Sequence, residues 1–278
     1  LQDKTGIIDG KVWELNAGIA EFESMDFIMT DGTVTSFQGA RQVNIDRIRK
    51  AQEGEYDPKE YIPATKYDIE EMYSELKGII ATIKEPHLRQ LTEECFINDR
   101  EFVKEFKVHS AAKSVHHGFI GGLLQHTLAV TKMCVFLADN YPILDRDLLV
   151  TAAIFHDIGK VTELSDFPMN DYTDDGQLLG HIFIGAELIG NKIRQISGFP
   201  PVLATELRHC ILAHHGELEY GSPKKPALVE AMALNFADNT DAKMETMAEL
   251  FKANANKSSD EWLGYNRLLE TNIRKTSE

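Results

Sequence analysis

The sequence predicts a mainly all-α, bundle-like body over residues 66–278, preceded by a β-rich piece over residues 1–50 and a linker over 51–65. Three observations carry that reading. Short alternating runs give way to helical periodicity at Tyr67, no return to alternation follows, and histidines and aspartates recur on apolar helical stripes.

In the first fifty residues, Gly10–Leu15 and Gln42–Ile45 alternate, and Thr33–Phe37 is rich in β-branched and aromatic types. Asp31-Gly32 reads as a turn, so the segment suggests part of a small barrel, too short to close by itself. Trp13 and Phe37 suit barrel-core aromatics better than base-stacking platforms, although both uses fit their chemistry. Leu1 opens in mid-pattern, which implies a chain shortened at its N-terminus. Residues 51–65 are polar, with two prolines and a glycine, as expected of a domain boundary.

From Tyr67, apolar residues at Ile69, Met72, Tyr73, Leu76, Ile79, Ile80 and Ile83 mark a helix that ends at Pro86. A second helical segment runs from Pro86 into the 100s. Further helices are expected up to Asn140, over Asp145–Ile158, and at 178–196, 201–215 and 226–253, the last two opened by prolines. Residues 165–177 read as an acidic loop, and the last ~25 residues as a polar helix or tail.

Composition narrows the function. Hydrophobic content of 43% and charged content of 26% are those of a globular protein. No apolar run is long enough to span a bilayer, so no membrane role is expected. Cys95, Cys134 and Cys210 lie far apart without a CxxC pair, which points to free thiols in a reducing cytoplasm. A net charge of −15 gives no global field for polyanions; a nucleic-acid substrate would need bound cations and local Lys or Arg side chains.

The chemistry concentrates around Thr151–Lys160, TAAIFHDIGK. On a helix, Asp157 shares a face with Val150 and Ala153, and His156 with Leu149 and Ala152, so both point toward the core. An unpaired buried charge is costly, and a cation bound to both groups removes the conflict. His126 has Phe119, Gly122, Leu123 and Val130 on its face; His181, His214 and Asp238 sit in similar apolar stripes. A single such histidine is ordinarily a core residue with a satisfied hydrogen bond. Two inward aspartates and four inward histidines in one helical body are far harder to satisfy separately. Mixed imidazole and carboxylate donors suit Mn, Fe, Co, Ni or Zn better than Mg or Ca.

The order His126, His156-Asp157, Asp238, with HDIGK at a helix end, resembles the HD superfamily of metal-dependent phosphohydrolases. Gly180-His181 and His214-His215-Gly216 resemble its dinuclear branch. HHGFIGGLLQHT, IFHDIGK, GHIFIGAELI, ILAHHGELEYGSPKKPALVEA and ADNTDA together resemble the YhaM-type 3′→5′ exoribonucleases, in which an OB-fold precedes the HD domain. The opening LQDKTGIIDGKVWEL resembles the interior of that OB module, here truncated.

The resemblance implies a first metal site of His126, His156, Asp157 and Asp238. It also implies a second metal, bridged by Asp157 and held by His181 and His214, with Mn the favoured ion. His209 and His214 lie roughly 140° apart on a helix, so both cannot easily reach one ion. His214 is preferred, with His215 either turned toward substrate or supporting the ligands from behind. Lys160 is either a catalytic contact to a phosphoryl oxygen or a solvated lysine. His116 and His117 precede Gly118 and Gly121-Gly122 and are expected to contact substrate. The implied activity is hydrolysis of RNA or single-stranded nucleic acid to mononucleotides by a cytoplasmic enzyme able to self-associate. The alternatives are a nucleotidase or cyclic-nucleotide phosphodiesterase, and a replication-associated nucleic-acid-binding protein with a structural site.

Overall fold

The computed structural model describes every residue except 4–5, 15–17, 38–39, 58–59, 114–117, 168, 256–260 and 278; the side chains of residues 2, 6, 7, 37, 40 and 253 also lie outside the described set. The chain divides into two compact units. One comprises residues 1–64 and 166–170, the other residues 65–165 and 171–278.

The first unit is β-rich. Strands β1 (Gln2–Asp3) and β2 (Gly6–Ile7) form a two-stranded antiparallel sheet. Strands β3 (Asp9–Lys11), β4 (Ile28–Phe37) and β5 (Ala40–Lys50) form a sheet in the order β3-β5-β4, with β3 parallel and β4 antiparallel to β5. The expected turn at Asp31-Gly32 is instead a register shift inside β4. A Cβ on Gly32 would stand 2.2 Å from the Asn44 carbonyl oxygen, so glycine is there for a close backbone approach at a bulge. Trp13 departs from the expected core role. It lies two residues beyond the end of β3 and is 72% exposed, with its indole N–H donating to Asn44 Oδ1 at 3.0 Å. The Phe37 side chain is outside the described set. Tyr56 stacks on Phe27 with ring centroids 4.0 Å apart.

The second unit is mainly helical. Helix α1 (Ile69–Ile80) is capped by the Asp68 carboxylate, which accepts from the Glu71 N–H, and buries Met72, Tyr73, Leu76 and Ile80. The segment from Pro86 is not one helix. It comprises α2 (Pro86–Glu93), a π-helical turn (Glu94–Asn98) and α3 (Arg100–Val108), because Asp99 leaves helical geometry to cap the Phe102 N–H.

Helix α4 (Gly122–Asn140) packs on α5 (Arg146–Phe155), whose residues from Leu148 to Phe155 are all buried. A short α6 (Lys160–Glu163) leads to α7 (Asp174–Gln195), followed by α8 (Pro201–Leu212) and α9 (Val229–Ala253). The expected acidic loop is shorter than the sequence implies: Thr173 caps the Gly176 N–H and starts α7 at Asp174. Helix α5 packs against α4, α8 and α9, which makes it the central element of the core. All three cysteines are free and buried.

The end of the chain corrects the sequence reading. In place of a polar helix or tail, strands β6 (Trp262–Asn266) and β7 (Thr271–Arg274) form an antiparallel hairpin, so the body is not wholly α. Trp262, Leu263, Tyr265 and Ile273 favour strand, and Asn266 accepts from the Leu269 N–H to close the turn. Among the described residues, no helix is long and apolar enough to cross a membrane.

Candidate metal centre

Helix α5 ends at Phe155, and His156 and Asp157 occupy the turns that follow, 0% and 2% exposed. An apolar helix that runs through the core thus delivers an imidazole and a carboxylate into the interior. Helix α4 brings His126, α7 brings His181, the turn after α8 brings His214 and His215, and α9 brings Asp238.

Two glycines set the α6–α7 side. Gly180 has φ +73° and ψ 154° and breaks α7 just before His181. The Glu163 carboxylate then accepts from both the backbone N–H and Nδ1 of His181, at 2.9 Å each. A Cβ on Gly159 would lie 2.1 Å from the His181 carbonyl oxygen, so only glycine lets HDIGK approach α7 this closely.

The five histidines share one orientation. His126 Nδ1 donates to Asp241 Oδ2 at 2.6 Å, and His181 Nδ1 to Glu163 Oε1 at 2.9 Å. His156, His214 and His215 donate from Nδ1 to the carbonyl oxygens of Ala153, Ile211 and Tyr220, each at 2.7 Å. His156, His181, His214 and His215 therefore keep Nε2 for a further partner, while His126 Nε2 faces the Asp157 and Asp238 carboxylates.

Those atoms converge on Asp157. Its Oδ2 lies 3.3 Å from His126 Nε2 and 3.4 Å from His156 Nε2. Its Oδ1 lies 3.5 Å from His181 Nε2 and 3.7 Å from His214 Nε2. Asp238 Oδ1 joins the Oδ2 side, 3.1 Å from His126 Nε2 and 3.9 Å from His156 Nε2. His126, His156 and Asp157 form one group whose donor atoms lie within 4.8 Å of one another; His181, His214 and His215 form another.

Electrostatics divides the two groups. Burial opposes charge on His126, but hydrogen bonds with Asp157, Asp238 and Asp241 outweigh it and hold its pKa well above the usual value. Burial likewise opposes ionisation of Asp157, yet the nearby Lys160 and His156 hold its carboxyl well below the carboxylate range. Asp238 is lowered too, its contacts with His126 and His156 overcoming burial. On the other side, burial, then His215 and His156, push His214 well below the usual value; burial and His181 lower His215.

The donor set fits a cation. Asp157 Oδ1, His181 Nε2 and His214 Nε2 are buried without a hydrogen-bond partner, whereas Oδ2 is met by the Lys160 ammonium at 2.7 Å. Buried polar atoms are seldom left in this state. A divalent cation on the Oδ1 side would satisfy all three, and His126, His156, Asp157 and Asp238 would offer a second cation the same mixed imidazole–carboxylate chemistry.

The structure thus brings together His126, His156, Asp157, Lys160, His181, His214, His215 and Asp238. His116 and His117 lie outside the described residues. His209 stands elsewhere, its Nε2 accepting from the Ala227 N–H at 2.9 Å. Lys160 is not a solvated lysine: its side chain is 16% exposed, and Asp157 raises its pKa against the opposing effect of burial. The sequence reading missed two carboxylates, Asp241 and Glu163. Asp241 is one turn beyond Asp238 on α9, a spacing that could have revealed it. Glu163 had no comparable signal, since its contact depends on the Gly180 break.

Residues 123–243 match the family model described as HD domain. That match covers the elements from α4 to α9 whose side chains meet at Asp157, and it supports a metal-dependent phosphohydrolase. No solved structure matches the chain.

Proposed function

We propose that the chain is a metal-dependent 3′→5′ exoribonuclease that releases mononucleotides from RNA or single-stranded nucleic acid. The observation that carries the reading is the division of Asp157, one oxygen facing His126 and His156 and the other facing His181 and His214. In this reading His126, His156, Asp157 and Asp238 hold one divalent ion, Mn favoured. Asp157, His181 and His214 hold a second, and His215 adds a further imidazole on that side or meets substrate.

Such ions, when bound, would activate water and neutralise charge on the phosphoryl oxygens during in-line displacement. Asp157 positions both sites while remaining ionised, and Asp241 and Glu163 fix the tautomers of His126 and His181. Lys160 holds a positive charge beside the reacting phosphate, where a non-bridging oxygen gathers charge. The β-rich N-terminal unit, an OB-type module by resemblance, would hold the strand, with the exposed Trp13 available for stacking.

The test is an assay of end-labelled RNA with Mn²⁺. The expected products are mononucleotides and a ladder shortened from the 3′ end, both lost in Asp157→Ala. Retained activity in that variant sinks the mechanism. The net charge of −15 favours a second reading, hydrolysis of free nucleotides or cyclic nucleotides. Turnover of those compounds without any cleavage of RNA would select it.

A further inference from the structure

The C-terminal hairpin plays no part in the metal centre, and its register sorts its side chains sharply. Trp262 pairs with Arg274 and Tyr265 with Asn272, whereas Gly264 pairs with Ile273. Residues directly opposite in an antiparallel pair share a face, and neighbours along a strand alternate. Trp262, Arg274, Tyr265 and Asn272 therefore lie on one face, and Ile273 on the other. Ile273 is 4% exposed, so its face is turned inward. Trp262 and Tyr265 are 62% and 63% exposed, and Arg274 and Asn272 are exposed with them.

We propose that this outer face is a docking platform for single-stranded nucleic acid, separate from the metal centre, with Trp262 and Tyr265 stacking on bases and Arg274 and Arg267 meeting phosphates. The proposal rests on the reading of the substrate as a polynucleotide strand. Charge favours this occupant. Within a chain of net charge −15, the hairpin Trp262–Arg274 carries Arg267 and Arg274 against a single acid, Glu270, with Glu261 and Lys275 flanking it. Two aromatic rings flanked by an arginine and an amide side chain match the way unpaired bases are held, by stacking with hydrogen bonds at the base edges.

The hairpin is tied to the far end of α9 through Lys275 Nζ, which donates to the Asn254 carbonyl oxygen at 3.1 Å. From Asp238 to Asn254 the helix runs about 24 Å at 1.5 Å per residue. A strand of several nucleotides can occupy platform and centre together, and a dinucleotide cannot.

The chain has two tryptophans, so a Trp13→Phe background leaves Trp262 as the single emitter. Metal-loaded protein is titrated with a long phosphorothioate oligouridylate, which resists cleavage, and with the matching dinucleotide. The expected result is saturable quenching of Trp262 by the long strand. Binding should weaken roughly tenfold or more on Trp262→Ala or Tyr265→Ala, with most of the affinity restored by Trp262→Phe. Arg274→Gln should reduce the salt dependence by about one phosphate contact.

Long-strand affinity unchanged in both alanine variants overturns the proposal. So does a loss of self-association in Trp262→Ala with unchanged strand affinity, which gives the face to a second copy of the chain. Hydrolysis of the unmodified dinucleotide with Mn²⁺ reports on the catalytic reading separately. Strand binding through Trp262 with no phosphodiester cleaved would overturn the exonuclease and leave the platform standing.

Discussion

The two sides of Asp157 are built from the same kinds of residue but balanced differently. On the Oδ2 side, His126 is surrounded by Asp157, Asp238 and Asp241, and Lys160 is ion-paired to the same oxygen. On the Oδ1 side, three imidazoles gather, and among the described residues only Glu163, behind His181, brings a second carboxylate. The first side already holds compensating charges, which is why His126 is held protonated against burial. The second keeps His214 and His215 neutral and ready to donate lone pairs. A cation on the Oδ2 side competes with the proton that the carboxylates favour on His126, whereas one on the Oδ1 side meets His214 and His215, whose protonation burial disfavours. Metal uptake on the Oδ2 side should therefore release more protons.

The largest effect should come from the residue the two sides share. Asp157→Asn keeps the shape but removes the charge, and loss of several kcal/mol of charge stabilisation corresponds to a rate lower by about three orders of magnitude. Phosphodiester turnover at saturating Mn²⁺ measures it, and a variant within tenfold of the parent would break the shared-ligand picture.

The orienting carboxylates come next. Asp241→Asn should weaken metal affinity on the His126 side, and Glu163→Gln on the His181 side, each by roughly 10- to 100-fold. Calorimetric titration should show one affinity class moving in each variant; the same class moving in both would mean that the two groups bind a single ion.

Metal removal tests both sides together. Mn²⁺ at about 100 times its Kd should stabilise the folded chain by about 2.7 kcal/mol, which raises Tm by roughly 5–10 °C, and a chelator should reverse the shift. An unchanged Tm would mean that the orphaned atoms of Asp157, His181 and His214 are not met by a cation.

The helical body and most of its donors were legible in the sequence because they follow the 3.6-residue period. The apolar stripes place Leu149 to Phe155 in the core, and His156 and Asp157 are buried at the end of that helix. What lay hidden depends on local breaks and distant partners. The Gly180 kink, the Glu163 contact it permits and the Asp99 cap that interrupts the second helical segment have no periodic signature. The hairpin was missed because Arg267, Glu270 and Lys275 dilute its alternation and gave the segment the look of a polar tail. Trp13 is of a type that suggests a core, but it lies beyond the end of β3 and is left exposed.

The smallest expected effects separate packing from chemistry on the imidazole side. In Gly159→Ala the new Cβ would meet the His181 carbonyl oxygen at 2.1 Å and the Gly185 nitrogen at 2.7 Å, both backbone atoms that cannot swing aside. Helices α6 and α7 must separate, at a cost of roughly 1–3 kcal/mol, and His181 moves away from Asp157 Oδ1. The expected result is a lower Tm, weakened binding on the Oδ1 side and an intact Oδ2 class in the same titration. Gly78→Ala, on the exposed face of α1 with nothing within 4 Å of its Cβ, should act in the opposite direction. Removing a mid-helix glycine there should raise stability by roughly 0.5–1 kcal/mol and leave both metal classes where they were. If Gly159→Ala instead weakened both classes equally, the two sides would be one mechanical unit, and the contrast between them would be only electrostatic.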